Sequence, residues 1–569
     1  MKGEKTLSEL FPKGILRPEL YMGTVNAVTT NMLWVDFSGA DTPSGYQYMG
    51  KRYGKGEVGE FVLVEGQLKI LLGRIVEIKL SDEKPGRNSI DALGRVHLLG
   101  SISVDTLKIT AGISVYPRLG DKVYAAPYNF ISQIPCLIGN EKKTNIMLRL
   151  GTVGEGMPCD INVRVEKLFG RHLAILGSTG GGKSWTMARI IGECMKFKSK
   201  MILIDATGEY HTMMSKDCCR SVYLCDSLNV KGDQTENIKC SLPPSMFQES
   251  DFIALFEPAG KVQGPKLKEA IRSLRLATLC PTKFPSKYIM KKNQSKSIYK
   301  EAINENDNLT KIDDPRQEFD VTLLPKQIEE ECVWPNGNND SEKWGKEDNS
   351  FGYCLSLISR INLILTSPAF SCIFKDKENP LNEEIENFIT KDDLCLFRID
   401  LSSVPFEYKA REIISNVIGR FLLAKARKGE FIKCPLLIFL DEAHNFLGKN
   451  IGGEDSYAKL DAFELIAKEG RKFGLNICLS SQRPRDITEG VLSQIGTLIV
   501  HRLTNDRDRD IVERACGEID KMASSFLPSL EQGEVAIIGS DFPIPLTVNV
   551  MRPEIAPDSS GPDYQNCWR

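Results

Sequence analysis

The 569-residue sequence lacks several features that would place it in a class at once. It contains only five histidines, and its sixteen cysteines form no C-x-x-C pair, so neither a zinc site nor a disulfide framework is indicated. Many of the cysteines lie inside apolar segments, which favours reduced, buried thiols. No apolar run approaches the roughly 18 to 20 residues that span a bilayer, and the N-terminus shows no apolar signal core. We therefore predict a cytoplasmic protein with no membrane partner.

An excess of basic charge is also lacking, because the net charge is −2. A protein that coats DNA is usually basic overall, so this charge argues against wrapping of nucleic acid over a broad surface. It is compatible with DNA held in a narrow channel, where a few basic side chains per subunit would face inward. The chain is too long for a single core, and we expect about two to four domains.

The organisation of the chain follows from changes in its pattern. Residues 1–148 contain short β-rich runs separated by Gly and Pro turns, which predict a small closed β-barrel. From residue 149, strands alternate with helices, as is typical of a parallel α/β sheet. The predicted domains are the barrel, a core, a helical insertion with a polar segment, and a C-terminal tail: 1–148, 149–229 with 391–551, 230–390 containing 282–350, and 552–569. The polar segment is expected to be a surface insert or a partly disordered loop.

The most informative segment is a glycine-rich stretch between an apolar run, 172–176, and a helix-competent run, 185–195. It matches the G-x-x-x-x-G-K-[S/T] phosphate loop, and its residues are Gly177, Ser178, Thr179, Gly180, Gly181, Gly182, Lys183 and Ser184. Such a loop presents backbone N–H groups to phosphate, and the helix N-terminus adds its partial positive charge. We expect the loop and Trp185 to bind nucleotide, with Lys183 at the β- and γ-phosphates and the Ser184 hydroxyl on Mg²⁺.

A second apolar run, 436–440, ends in the adjacent carboxylates Asp441 and Glu442. Asp441 would hold the Mg²⁺ shell, and Glu442 would polarise the attacking water as a general base. A strand that ends in Asp-Glu is weak evidence alone, but it gains weight downstream of a phosphate loop. A further run, 475–481, is followed by Gln482, whose amide either senses the γ-phosphate and the lytic water or simply caps the strand.

Two arginines are candidates for a finger supplied to the neighbouring subunit's nucleotide, where it would stabilise charge on the γ-phosphoryl group. Arg171 directly precedes the strand of the phosphate loop, and Arg471 ends an amphipathic helix. Basic residues at a helix C-terminus often only complement the helix dipole, so the sequence leaves open which arginine acts. Asp205 and Glu209 follow another buried strand, where they either set the nucleotide site or subunit boundary or form salt bridges inside one subunit.

Five segments in this order carry a family resemblance: 171–184 (RHLAILGSTGGGKS), 204–210 (IDATGEY), 440–444 (LDEAH), 469–474 (EGRKFG) and 481–484 (SQRP). The chain resembles the HerA family of hexameric ATPases, in the wider HerA–FtsK group of P-loop DNA translocases. The run 530–539 also resembles the closing hairpin of that family. The resemblance implies an α/β fold: a RecA-like P-loop ATPase core with an N-terminal small β-barrel (HAS-barrel-like) and an inserted helical domain. Residues 230–390 match only as a long helical insertion.

The resemblance further implies ATP and Mg²⁺ as cofactors, and a homo-hexameric ring around double-stranded DNA that is bound without sequence choice. By position, it implies nucleotide and Mg²⁺ binding by Lys183 and Ser184, a Walker B pair at Asp441 and Glu442, and a sensor at Gln482. Such ATPases act with a separate effector, such as a nuclease or an NAD hydrolase, in DNA end processing or in bacterial anti-phage defence. An alternative is an ATP-switched scaffold that activates its effector without processive translocation. A conjugation or type IV secretion ATPase shares the order of motifs.

Overall fold

The computed structural model describes most of the chain: residues 14–37, 46–48, 51–53, 56–80, 92–103, 108–138, 146–154, 158–224, 237–337, 340–374, 378–447, 449–451, 458–516, 526–559 and 564–568. It divides into two compact units, which are described separately. The first comprises Met1–Cys194 and Ile495–Glu554, and the second comprises Met195–Gln494 and Ile555–Arg569. The domain boundaries expected at 148, 229, 390 and 551 stay predictions.

The first unit begins with a closed barrel of six antiparallel strands, which confirms the predicted N-terminal barrel. In order around the barrel the strands are Met32–Phe37, Tyr21–Val28, Lys122–Ala125, Phe61–Glu65, Lys69–Leu80 and Ala92–Ser103, and the last pairs with the first. Alternation produces the core: in Met32–Phe37, the side chains of Leu33, Val35 and Phe37 are buried, while those between them are half-buried. Ile109–Ala111 extends the barrel wall, and Tyr46–Tyr48 pairs with Lys51–Tyr53.

Six further strands of the first unit form a mixed sheet. In spatial order they are Cys159–Arg164, Met147–Val153, Phe542–Val550, Glu534–Gly539, Thr497–Val500 and Leu173–Leu176. The hairpin of Glu534–Gly539 and Phe542–Val550 corresponds to the predicted closing hairpin. Only the pair Leu173–Leu176 and Thr497–Val500 is parallel. The helices of this unit are Tyr128–Ile131, Ile134–Leu137, Val165–Phe169, Lys183–Cys194 and Asp506–Ala515.

The second unit contains six parallel strands, in the order Leu475–Ser481, Leu436–Leu440, Lys200–Asp205, Leu396–Asp400, Cys219–Leu224 and Asn237–Cys240. The central strands are buried along their whole length, which explains their nearly continuous apolar sequences. Because the strands are parallel, the carboxyl ends of Lys200–Asp205, Leu396–Asp400 and Leu436–Leu440 share one edge. Polar residues occupy that edge, and the candidate site is built there.

Helices dominate the rest of the second unit. They are Glu249–Phe256, Gly260–Leu279, Ser297–Asn304, Asn308–Lys311, Leu324–Glu331, Asp348–Thr366, Ser371–Phe374, Leu381–Thr390, Ala410–Arg427, Ala462–Glu469, Glu489–Leu492 and Tyr564–Cys567. In the described residues, no single helix has the length and apolar composition to cross a bilayer, although Asp348–Thr366 with Pro368–Phe374 passes as a pair bent by 72°.

The polar segment 282–350 is folded in its described residues rather than extended as a loop. Its few apolar side chains, among them Phe284, Ile289 and Ala302, pack with Leu276 into a small core. Within the same segment, the Lys291 ammonium and the Glu331 carboxylate form a buried ion pair at 2.5 Å. The sequence did not predict this packing because the apolar residues are few and widely spaced.

Candidate nucleotide-binding site

The phosphate loop of the first unit joins the buried strand Leu173–Leu176 to the helix Lys183–Cys194, as its sequence predicts. Gly182 has φ +104°, a left-handed conformation that side chains rarely adopt. A Cβ on Gly177 would lie 2.5 Å from the Cβ of His501, so only glycine fits there. The Lys183 ammonium donates to the Ser178 carbonyl at 3.0 Å, which holds it over the loop.

Other residues of the loop and of the first helical turn differ in their contacts. The Gly181 N–H donates to the Ser178 carbonyl at 3.2 Å, and the Ser178 hydroxyl donates to the Arg502 carbonyl at 3.1 Å. Ser184 lies in the first helical turn, half-buried, and its hydroxyl makes no hydrogen bond within the described residues. Trp185 packs near Arg552, whose guanidinium carbon lies 5.9 Å from the centroid of the indole ring.

His501 packs against the phosphate loop, and the sequence analysis did not predict this role. It follows the strand Thr497–Val500, and its backbone N–H donates to the Leu176 carbonyl at 2.7 Å. Its Nε2 lies 3.0 Å from the Thr186 hydroxyl oxygen. Burial, with the nearby Lys183 charge, lowers the pKa of His501 to about 4, so the ring is neutral at physiological pH. A polar residue directly after a buried strand was the available signal.

The closing hairpin also reaches the loop. The Gln532 side-chain amide donates to the Gly180 carbonyl at 3.2 Å. A Cβ on Gly182 would lie 3.9 Å from the Cα of Gly533. The segment that resembled the family's closing hairpin therefore helps to shape the phosphate loop.

Asp441 of the second unit follows the strand Leu436–Leu440 and is almost fully buried. The Thr207 hydroxyl donates to its carboxylate at 3.2 Å. Burial raises the pKa of Asp441 well above its usual value, and the negative charges of Asp205, Glu442 and Glu209 add to the effect. A divalent cation would relieve this accumulation of negative charge, so the residues present fit the predicted Mg²⁺.

Asp205, the last residue of its strand, is satisfied inside the subunit. Its carboxylate accepts hydrogen bonds from the N–H groups of Gly208 at 2.8 Å and Tyr210 at 3.1 Å. It also accepts one from the guanidinium of Arg398 at 2.8 Å. Of the two alternatives for this acid, the intramolecular salt bridge is what the structure contains.

Arg398 is the second residue that sequence reasoning missed. Its side chain is completely buried between Asp205 and Asp400, with both guanidinium–carboxylate distances at 2.8 Å, and it also donates to the Ser221 hydroxyl at 3.0 Å. An arginine in the middle of a five-residue apolar strand was the signal that could have revealed it.

Glu442 lies next to Asp441 in a left-handed backbone conformation, φ +47°. Its carboxylate is 3.2 Å from the His444 Nδ1, and this nitrogen is 3.4 Å from the Ser481 hydroxyl. Gln482 directly follows Ser481 and is half-buried. The structure therefore brings the predicted general base and the strand of the predicted sensor together through His444.

The two candidate finger arginines differ in their surroundings. Arg171 is engaged inside its own subunit, where its guanidinium makes a forked ion pair with Asp541, with the shortest distance at 2.7 Å. The Arg471 side chain is exposed and makes no ion pair or hydrogen bond within the described residues. Of the two, only Arg471 is free to serve another molecule without breaking an existing pair.

Comparisons with known proteins agree with a P-loop ATPase. The family model described as "Helicase HerA, central domain" matches residues 148–420. The DNA double-strand break repair helicase HerA of Sulfolobus acidocaldarius is 24% identical over 526 residues, covering 90% of this chain and 92% of that protein. The probable DNA double-strand break repair helicase HerA of Methanocaldococcus jannaschii is 27% identical over 404 residues, covering 68% and 74%.

Among solved structures, VirB4 of Thermoanaerobacter pseudethanolicus is 13% identical, with a TM-score of 0.43, and covers 75% of this chain and 99% of its own. The order of motifs, the phosphate loop and the sequence relatives lead to one assignment. Together they support a HerA-family P-loop ATPase.

Proposed function

We propose that this chain is the subunit of a ring-forming, ATP-hydrolysing motor that moves along or unwinds double-stranded DNA. The observation that carries the proposal is the buried carboxylate Asp441, set among other acids in a chain that also carries a complete phosphate loop. The naming of its relatives as DNA repair helicases supports DNA as the substrate.

In this proposal, Lys183 binds the β- and γ-phosphates, while Ser184 and Asp441 hold Mg²⁺. The bound ion would neutralise charge on the phosphates. Glu442, whose carboxylate lies 3.2 Å from the His444 Nδ1, takes the proton of the attacking water. Gln482, next to Ser481, reports the state of the γ-phosphate to the subunit.

A ring follows from the arginine assignment. We assign Arg471 as the finger, since it is exposed and uncommitted while Arg171 is held by Asp541. A finger in trans places each nucleotide at a subunit boundary, and a repeated head-to-tail boundary closes into a ring. The hexamer, the cytoplasmic location and a separate effector, such as a nuclease or an NAD hydrolase, stay predictions.

The test is DNA-stimulated ATP hydrolysis together with displacement of a triplex-forming strand from duplex DNA. Lys183→Ala should lower hydrolysis by about 10²-fold or more, whereas Lys198→Ala, at an exposed lysine, should leave it unchanged. Wild-type protein should displace the strand from two unrelated sequences equally well, and high salt should weaken this activity. Unchanged hydrolysis in Lys183→Ala would remove the site assignment.

Glu442→Gln separates the motor from the scaffold alternative. In a motor, this variant binds ATP but displaces no strand. Strand displacement at the wild-type rate by Glu442→Gln would contradict the motor proposal and the assignment of the general base.

A further inference from the structure

Three cysteines converge at the edge of the parallel sheet opposite the carboxylates. Cys219 is the first residue of the strand Cys219–Leu224, Cys218 directly precedes it, and Cys395 directly precedes the strand Leu396–Asp400. These positions are at the amino ends of parallel strands, whereas Asp205 and Asp441 are at the carboxyl ends. A strand of this length separates the two edges by about 20 Å, so the cysteines are not part of the nucleotide site.

The three sulfur atoms lie within 4.8 Å of one another. The Cys218 and Cys219 sulfurs are 4.0 Å apart. Zn²⁺ bound tetrahedrally by thiolates has zinc–sulfur bonds of about 2.3 Å, which places the sulfurs about 3.8 Å apart. Only small side-chain adjustments would therefore allow one ion to contact all three sulfurs.

The backbone holds the cluster in place. The Cys395 N–H donates to the Cys218 carbonyl at 2.8 Å, and the Cys395 thiol donates to the same carbonyl at 3.3 Å. Cys395 is buried, while Cys218 and Cys219 are half-buried, so the cluster has one anchored ligand and two that solvent reaches. An ion from solvent would reach the cluster on the side of these two half-buried residues.

A fixed positive charge stands beside the cluster. The Lys200 ammonium is buried and donates to the carbonyls of Phe388 at 3.0 Å, Leu394 at 2.7 Å, and Lys391. It also interacts with the carboxylates of Asp392 and Asp393 and with the thiols of Cys434 and Cys395. Three thiolates around a divalent ion carry a net charge of about −1, and the Lys200 ammonium is a cation shared between that charge and the two aspartates.

We propose that Cys218, Cys219 and Cys395 form a binding site for a soft divalent metal ion, Zn²⁺ in particular, that ties two strands together at the amino edge of the sheet. Binding converts three thiols to thiolates and releases three protons to solvent, with no change of oxidation state. Thiolate ligands select Zn²⁺ over Mg²⁺, so this site does not compete for the ion of the nucleotide site. Water would supply the fourth ligand.

The experiment uses the full-length chain, reduced, stripped of metal with a chelator, and free of nucleotide. Titration with Co²⁺ should produce the sulfur-to-cobalt charge-transfer absorption of a thiolate site, and Zn²⁺ should abolish it at one equivalent per chain. Loss of an outer-shell partner weakens metal binding by about 10- to 100-fold. Cys219→Ser and Cys395→Ser each remove a direct ligand and should weaken Zn²⁺ binding by more than this. Cys434→Ser is the matched control, at the same edge but outside the cluster, and should bind as wild type does.

A second measurement needs no variant. Zn²⁺ should slow alkylation of Cys218 and Cys219 in the wild-type chain, measured by mass spectrometry, and leave Cys434 unaffected. The proposal is overturned if the reduced chain takes up no Co²⁺ or Zn²⁺, if Cys434→Ser weakens binding as much as Cys219→Ser does, or if Zn²⁺ protects neither cysteine. If a disulfide forms within the cluster and the reduced chain takes up no metal, the cysteines are a redox pair and the metal-site proposal is wrong.

Discussion

Asp441 and His501 are two ionisable side chains that the fold holds away from water, and each is driven toward its neutral form. Asp441 lies among other acids, and His501 lies beneath the phosphate loop beside Lys183. Burial penalises the charged form of either group, so their protonation is coupled to folding. This coupling produces effects on stability that are distinct from effects on catalysis.

Asp441→Asn should abolish ATP hydrolysis and stabilise the metal-free protein. The folded chain holds a proton on Asp441 more tightly than the unfolded chain does, because burial raises the pKa of its carboxyl group. This group therefore costs stability as pH rises through its folded pKa, and a neutral amide avoids the cost. We expect a gain of about 1 kcal/mol in the free energy of unfolding.

Urea unfolding in neutral, chelator-treated buffer measures this gain. Glu442→Gln is the control, since its side chain is partly exposed and the same change of charge should raise stability less. An Asn variant less stable than wild type would contradict the expected charge cost at Asp441.

His501→Gln should flatten the loss of stability in acid. The pKa of His501 falls from 6.5 to about 4 on folding, so the unfolded chain gains a proton first as pH decreases. Stability from this group is present above pH 6.5 and is lost as pH falls toward 4, by about 3 kcal/mol in total. Free energies of unfolding at several pH values should show this loss in wild type and a smaller one in the variant.

His211→Gln is the control for loss of a histidine elsewhere in the chain. Parallel pH profiles of stability for wild type and His501→Gln would contradict the lowered pKa of His501.

Elements of this fold are joined by charge as well as by apolar packing. The strand Leu396–Asp400 carries Arg398 inside the sheet, and this side chain bridges Asp205 of one neighbouring strand to Ser221 of the other. Breaking a buried ion pair by removing one partner leaves an uncompensated charge, which costs more than the pair contributes when intact. One guanidinium therefore links three neighbouring strands near the carboxylate edge.

Arg398→Leu should lower the free energy of unfolding by about 3 to 5 kcal/mol, since Asp205 and Asp400 would then share a buried site without a cation. Arg427→Leu is the matched control, because Arg427 pairs with Glu469 at a largely exposed position of the same unit. Removal of that pair should cost at most about 1 kcal/mol. Equal midpoints for the two variants in urea unfolding would contradict the proposed role of the buried bridge.

At the scale of the whole molecule, the proposed ring requires an arginine that has no ion pair within its own chain and can therefore contact the next subunit's nucleotide. Arg471 meets this condition in the described residues, and Arg171 does not. The net charge of −2 likewise favours basic residues gathered in a channel over a basic outer surface.

Arg471→Ala should leave stability unchanged and strongly reduce ATP hydrolysis. A mixture of Arg471→Ala and Glu442→Gln subunits should recover hydrolysis that neither variant shows alone, since some boundaries then combine an intact base with an intact arginine. Arg171→Ala should instead cost up to about 1 kcal/mol of stability, because Asp541 loses its partner. Hydrolysis assays on exchanged mixtures test this, and mixtures that stay inactive after verified subunit exchange would exclude a finger in trans.

Much of this protein was predictable from local patterns. The phosphate loop, the strand before Asp441 and the N-terminal barrel each depend on neighbours in sequence: turn glycines, continuous apolar runs and alternation. The roles assigned to Lys183 and Glu442 stay predictions that the kinetic variants test. The packing of the polar segment was not predictable, because its sparse apolar residues show no clear period.

By itself, the sequence determined that this chain carries a nucleotide-binding loop, an acidic pair and an α/β core, because these are properties of short continuous segments. The tertiary structure alone decided that His501 supports the loop, that Arg398 pairs with both Asp205 and Asp400, and that three cysteines meet at the opposite edge. Parallel strands bring residues that are distant in sequence to a common edge, and such proximity leaves no spacing pattern in the chain.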